Sequence, residues 1–225
     1  MNDTITLIFK ALPFILQGTF VTLKIVAGAL LVGFICGLAL AVGQVYGRPF
    51  LSGSVAFYVW FFRGLPNLVL LFLFYYGLFP LMGLDVSAFF IAVTALGLRS
   101  SAYQSQLFRG CIQSLGEGQM MAARSLGMTR PQAVWNIILP QALRISLPGW
   151  SNEYPILLTD SAVTYAIGVM EILTRGNLVV SRTYQPMPIY MTCALIFIIM
   201  NYGGMKMLHL LERRLQIPGF GRGEH

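Results

Sequence analysis

The chain has 225 residues, 56% of them hydrophobic and 10% charged, with a mean hydropathy of +0.72 and a formal net charge of +7. Soluble domains carry roughly 25% charged residues, so a water-facing globule is excluded, and the length holds about five spans of ~20 residues. Three scattered cysteines (Cys36, Cys111, Cys193) form no CxxC pair, which excludes a disulfide framework or zinc site and leaves small apolar packing residues.

In chain order, the first hydrophobic run is too long for a signal-peptide core and has no clear cleavage site after it, so it reads as a helix. Span one, 25–43, is uncharged and lies between Lys24 and the turn at 46–49. Its Gly33 and Gly37 have the GxxxG spacing that favours close helix packing. The aromatic-rich stretch 50–62 ends in Arg63-Gly-Leu-Pro66 and reads as an interfacial helix. Span two, 65–83, follows, with Pro66 where a helix start tolerates it. Span three, 86–108, is apolar to Leu98 and then turns polar. Span four, 147–170, contains Glu153 and Asp160, and span five covers 188–211. Each is long enough to cross a bilayer, although spans three and four fail a strict hydropathy cut.

Basic residues orient the chain. Arg48, Arg63, Arg109, Arg124, Arg130, Arg144, Arg213, Arg214 and Arg222 fall on one side, against Lys10, Arg175 and Arg182, with Lys24 near the edge. The positive-inside rule then puts the N-terminus outside, the C-terminus in the cytoplasm and 109–146 in the cytoplasm. The net charge is thereby a topology signal and calls for no nucleic acid.

The segment 114–140 is too polar to span. Ser114-Leu-Gly-Glu117 fits a capping box, a helix runs through 119–126, and Gly127 sits where a helix end wants a left-handed residue. Thr129-Arg-Pro-Gln132 is a second capping box, opening a helix that reaches Ile138. Two short helices joined at a glycine could lie on lipid or dock a cytoplasmic partner.

Chemistry is sparse. There is no GxxxxGK[ST] phosphate loop, and the glycine-rich 219–223 tail has no strand before it or helix after it. Only His209 and His225 are present, so no catalytic or metal cluster is expected. Charges inside a bilayer mark pathways or pairs. Arg99, Tyr103 and Gln106 share one helical face, as do Glu153, Leu157 and Asp160. Arg99 and Asp160 offer the cation and anion that an amino acid zwitterion needs, or they form a structural salt bridge. Glu153 reads as a structural or gate residue. Arg175 and Arg182, on an outer loop with Tyr184, could meet an external protein or stay solvated.

Ala122-Ala123, Gly127 and Ile137-x-Leu139-Pro140 resemble the EAA loop of importer-type ABC transporter permeases. "TFVTLKIV", "FFRGLPNLVLLFLFYYGL", "SAYQSQLFRGCIQSLGEGQ", "ILPQALRISLP" and "YAIGVMEI" look, in that order, like the polar amino acid subfamily. The resemblance implies an all-α membrane protein of the type I ABC importer permease fold, with five transmembrane helices in one domain over 1–225. It implies a multi-pass subunit of a prokaryotic cytoplasmic (inner) membrane importer for polar amino acids. The chain itself would be no enzyme and carry no cofactor, because ATP is bound and hydrolysed by a separate ATPase subunit dimer. An extracytoplasmic substrate-binding protein and a second permease chain, identical or related, complete the implied assembly. Glu117, Met121, Ala122, Ala123, Arg124, Gly127, Ile137, Leu139 and Pro140 would form the coupling surface. Two residues depart from the pattern: Met121 replaces the family glutamate, and Thr159 a frequent lysine. The alternatives are a permease for another small polar solute and a secondary transporter, whose inverted repeats five spans do not accommodate.

Overall fold

The computed structural model describes residues 2–215, all helix and turn with no strand among them. Arg222, the 219–223 tail and His225 lie outside the described residues. The helices are α1 (Asn2–Tyr46), α2 (Pro49–Gly64), α3 (Asn67–Leu81), α4 (Ala88–Ser114), α5 (Gly116–Ser125), α6 (130–151), α7 (Glu153–Ile167), α8 (Ile172–Thr183) and α9 (Pro186–Leu215).

The first hydrophobic run and span one are one 45-residue helix. At 1.5 Å per residue α1 is ~67 Å long, about twice the ~30 Å hydrocarbon thickness. By length and composition α1 and α9 cross a membrane singly, while α2 with α3 and α7 with α8 qualify only as bent pairs. At 27 residues α4 is long enough, and its polar second half explains its low hydropathy. These five units match the expected number, but span two differs. Helix α3 is too short to cross alone, and it meets α2 at 108°. Leu65 and Pro66 are both extended there, because a residue before proline avoids helical backbone. Span four differs too. Its helix breaks at Asn152 and ends at Gly168, which is left-handed at φ 80°.

Two π-helical stretches, Leu73–Leu78 and Val134–Ile138, each end two residues before a proline. Pro80 and Pro140 lack the N–H that would reach the carbonyl four residues back, and the widened turn absorbs the mismatch.

The largest interface is between α1 and α4. Gly33, Gly37 and Gly97 let the backbones close in. A methyl group on Gly33 would run into the Gln104 side chain, and one on Gly37 would lie 3.0 Å from Gln104 Cβ and 3.1 Å from the Ser101 carbonyl. One on Gly97 would strike Val32. The GxxxG expectation is thus realised against the polar half of α4.

The turn into α5 is not built as expected. Helix α4 runs through Ser114, whose hydroxyl donates back to the Cys111 carbonyl (2.8 Å), so the first capping box does not form. Gly116, left-handed at φ 66°, makes the bend instead. At the other end of α5, Gly127 (φ 84°) donates to the Arg124 carbonyl and Met128 N–H to the Ala123 carbonyl, the Schellman closure. The Thr129–Gln132 capping box is present.

Helix α8 replaces the expected outer loop. Glu171, fully buried, caps it by accepting from the Leu173 and Thr174 N–H groups (2.8 and 2.6 Å). Arg175 donates to the Phe14 carbonyl and to Gln17 Oε1 (3.3 and 3.0 Å), tying α8 to α1. It is neither a loop residue nor a solvated charge.

The glycine-mediated approach gives a direct test. Gly37→Val overpacks the interface at about 1–3 kcal/mol, so the detergent-purified protein melts roughly 5 °C lower. Gly53→Ala, where a methyl meets nothing within 4 Å, leaves the melting temperature unchanged or raises it.

Candidate functional site

The middle of α4 carries two polar faces. One packs inward. Glu153 is buried at the start of α7 and accepts from Ser100 Oγ (2.8 Å). Ser100 in turn accepts from Gln104 Nε2 (2.9 Å), and Gln104 Oε1 accepts from Trp150 Nε1 (2.8 Å). Tyr58 Oη donates to the Leu98 carbonyl (2.9 Å) and shares a hydrogen bond with Ser101 Oγ (2.7 Å). These contacts join α2, α4, α6 and α7 beside the glycine stripe of α1. A carboxylate so enclosed needs a partner, and Ser100 supplies it.

The other face is open. Arg99 forms an ion pair with Asp160 of α7. The two side chains are 18% and 20% exposed, buried enough to need each other and open enough to be reached. Asn67, at the start of α3, donates to the Asp160 backbone carbonyl (3.4 Å). Arg99 Nε and Asn67 Oδ1 are buried without a hydrogen-bond partner, so both keep bonding capacity beside the pair. Tyr103, one turn along α4, has both the Arg99 and the Arg63 guanidinium against its ring, at 5.2 and 4.8 Å from the centroid. Gln106 lies a further turn on, donating to Gln44 Oε1 of α1 (3.0 Å) and accepting from Arg109 (3.3 Å).

Of the residues singled out on sequence grounds, Arg99, Tyr103 and Asp160 therefore meet. Gln106 belongs to a neighbouring cluster with Gln44 and Arg109. Glu153, two turns before Asp160 on the same face of α7, is bonded by Ser100 and not by Arg99. The inward network escaped the sequence reading, although Ser100, Ser101, Gln104 and Ser105 at helical spacing opposite a GxxxG stripe carry its signal. Arg63 also escaped, since only the α2–α3 bend brings it over Tyr103.

In the hairpin, Ala123 is buried and Ala122 exposed, so α5 packs by one alanine and offers the other. Glu117, Met121 and Arg124 line a groove of about 600 Å³ with Tyr46 and Arg130, and Arg130 lies 5.3 Å from the Tyr46 ring centroid. Met121 is 64% exposed and Leu126 81%. Of the second helix, Ile138 and Leu139 are buried, Ile137 half-buried and Pro140 exposed. Leu139 anchors the hairpin to the bundle through a cluster with Ala41, Phe108 and Ile112.

Comparison with known proteins places this geometry. The chain is 34% identical over 212 residues to the "Probable amino-acid permease protein YxeN" of Bacillus subtilis (strain 168), covering 93% of this chain and 94% of the relative. It is 32% identical over 206 residues to the "Histidine/lysine/arginine/ornithine transport system permease protein HisM" of Salmonella typhimurium, covering 88% of each. A solved structure described as "Crystal structure of an amino acid ABC transporter with histidines" matches at a TM-score of 0.82 and 34% identity, over 92% of this chain and 96% of that one. A chain of the MetNI methionine ABC transporter, inward facing, matches at 0.79 and 20% identity over 92% and 98%, a likeness of fold alone. With residues 29–217 matching the family as well, this chain belongs to the binding-protein-dependent transport system inner membrane components and has the type I ABC importer permease fold.

Proposed function

We propose that the chain forms half of the translocation pathway of an ATP-driven importer for polar amino acids in a prokaryotic cytoplasmic membrane. The observation that carries this reading is the half-open Arg99–Asp160 pair, with unused bonding capacity on Arg99 Nε and Asn67 Oδ1 beside it. An ion pair inside a bilayer is stable while its members neutralise each other, and removing one leaves an uncompensated charge. A zwitterion can take the place of each partner, its carboxylate on the guanidinium and its ammonium on the aspartate. The pair then opens without stranding a charge, which makes opening conditional on a solute of matching chemistry. The amino-acid transport named for the similar proteins agrees with this reading.

The motor is separate. This chain supplies the exposed face of α5 to a nucleotide-binding subunit, N-terminus outside and hairpin in the cytoplasm as the basic residues orient it. With Met121 where the EAA pattern implies glutamate, docking rests on shape and apolar contact, with Arg124 at the groove. One such bundle encloses no pathway by itself. A second permease chain faces it, an ATPase dimer binds the two hairpins, and an external binding protein delivers the substrate.

Arg99→Met abolishes uptake of amino acid by the reconstituted transporter while the ATPase subunit still co-purifies; wild-type uptake by that variant refutes the substrate role. The exchange Arg99→Asp with Asp160→Arg separates structure from transport. It restores a charge pair and hence the melting temperature, but reverses the recognition, so uptake stays at background. Met121→Asp puts a charge into an apolar contact and lowers recovery of the ATPase subunit with the detergent-solubilised permease by about tenfold, ~1.4 kcal/mol. Unchanged recovery rules out docking through Met121.

A further inference from the structure

Beyond Tyr103 lies an open cavity of about 540 Å³ between α1, α2 and α4, lined by Gln44, Trp60, Arg63, Tyr103, Gln106 and Arg109 among others. No aspartate or glutamate is in its lining. Of its two cations, Arg63 is exposed and makes only the ring contact with Tyr103, and Arg109 makes one hydrogen bond, to Gln106 Oε1 (3.3 Å). Most of their guanidinium donors are therefore free. Neither arginine lies within the hairpin, and the Arg99–Asp160 pair already neutralises itself one turn away on the other side of Tyr103. Arg63 and Arg109 thus give this space a positive field with no acidic group in its lining to offset it.

We propose that this cavity is a carboxylate-binding vestibule, the station that receives the substrate after it leaves Arg99 and Asp160, and that Tyr103 is the partition between the two. The inference rests on the function proposed above and deepens it by naming the substrate class. Arg63 and Arg109 take the carboxylate, a geometry guanidinium suits. Gln44 offers its amide Nε2 to a polar side chain while Gln106 holds its Oε1, and Trp60 supplies an apolar wall. The ring of Tyr103 is common to both stations because Arg63 and Arg99 both rest against it. When Arg63 moves with α2 about the bend at Leu65 and Pro66, the ring loses one of the two cations that hold it. A side chain bearing its own positive charge meets repulsion here with no acidic group to offset it. The vestibule therefore favours amino acids with acidic or neutral side chains over lysine and arginine.

The test is equilibrium binding of radiolabelled glutamate, glutamine and lysine to the detergent-solubilised complex of permease and ATPase subunit, free of binding protein. The expected result is glutamate and glutamine binding about tenfold tighter than lysine. Arg63→Gln with Arg109→Gln removes that preference, and Arg63→Lys with Arg109→Lys retains it. Lysine binding as tight as glutamate in the unaltered complex overturns the proposal without recourse to any variant, as does a preference that survives the glutamine pair. The two readings fail separately. A complex that imports amino acid with ATP yet binds lysine as tightly as glutamate refutes the vestibule alone. A chain that recruits no ATPase subunit and imports nothing refutes the function, and the vestibule with it.

Discussion

The contact between α1 and α4 is the constraint on which the rest of the structure depends. Lipid tails are as apolar as leucine, so helices in a bilayer gain little from hiding apolar side chains and associate by close packing and internal hydrogen bonds. Gly33 and Gly37 supply the closeness on α1, and Gly97 on α4. Because the glycines sit opposite Ser100, Ser101 and Gln104, they also fix how α4 is rotated about its axis. That rotation buries the Glu153–Ser100–Gln104–Trp150 chain and sets Arg99 and Tyr103 on the adjacent face, against Asp160 and Arg63. A leucine at either glycine of α1 would push α4 away and expose polar groups to lipid.

The two polar faces of α4 illustrate how the surroundings of similar residues divide their labour. Glu153 and Asp160 are two turns apart on α7, both carboxylates in a membrane protein. Glu153 is buried and accepts from the Ser100 hydroxyl, which the Gln104 amide in turn bonds. Asp160 shares a half-open cleft with a guanidinium, an asparagine and an aromatic ring. The first arrangement is satisfied and static. The second retains bonding capacity, at Arg99 Nε and Asn67 Oδ1.

The hairpin of α5 and α6 is set by two turns and an apolar seat. Its shape follows from two left-handed glycines, Gly116 and Gly127, and a non-glycine residue held in that backbone conformation costs roughly 1–2 kcal/mol. Its seat is apolar, through Ala123, Ile138 and Leu139, and Ile138 and Leu139 cluster with Ala41 of α1 and with Phe108 and Ile112 of α4. The exposed residues, Met121 and Leu126, make no part of that seat. They are available to a partner because the hairpin does not need them for its own stability.

Much of this was legible in the sequence. Apolar run lengths gave the helical units, the Thr129–Gln132 box and Gly127 gave one side of the hairpin, and helical spacing paired Arg99 with Tyr103 and Glu153 with Asp160. These are local or periodic signals, set by hydropathy, backbone preference and the 3.6-residue repeat. The sequence could not say that Ser114 would continue α4 rather than cap α5, since a hydroxyl at that spacing bonds forward or backward with equal ease. Nor could it reveal the 108° bend between α2 and α3, the helix in place of the loop after Gly168, or that Ser100 rather than Arg99 would engage Glu153. Those outcomes depend on which backbones can approach closely enough to share hydrogen bonds. Arg63 stands 36 residues before Arg99, and only the folded chain brings both cations to one tyrosine ring.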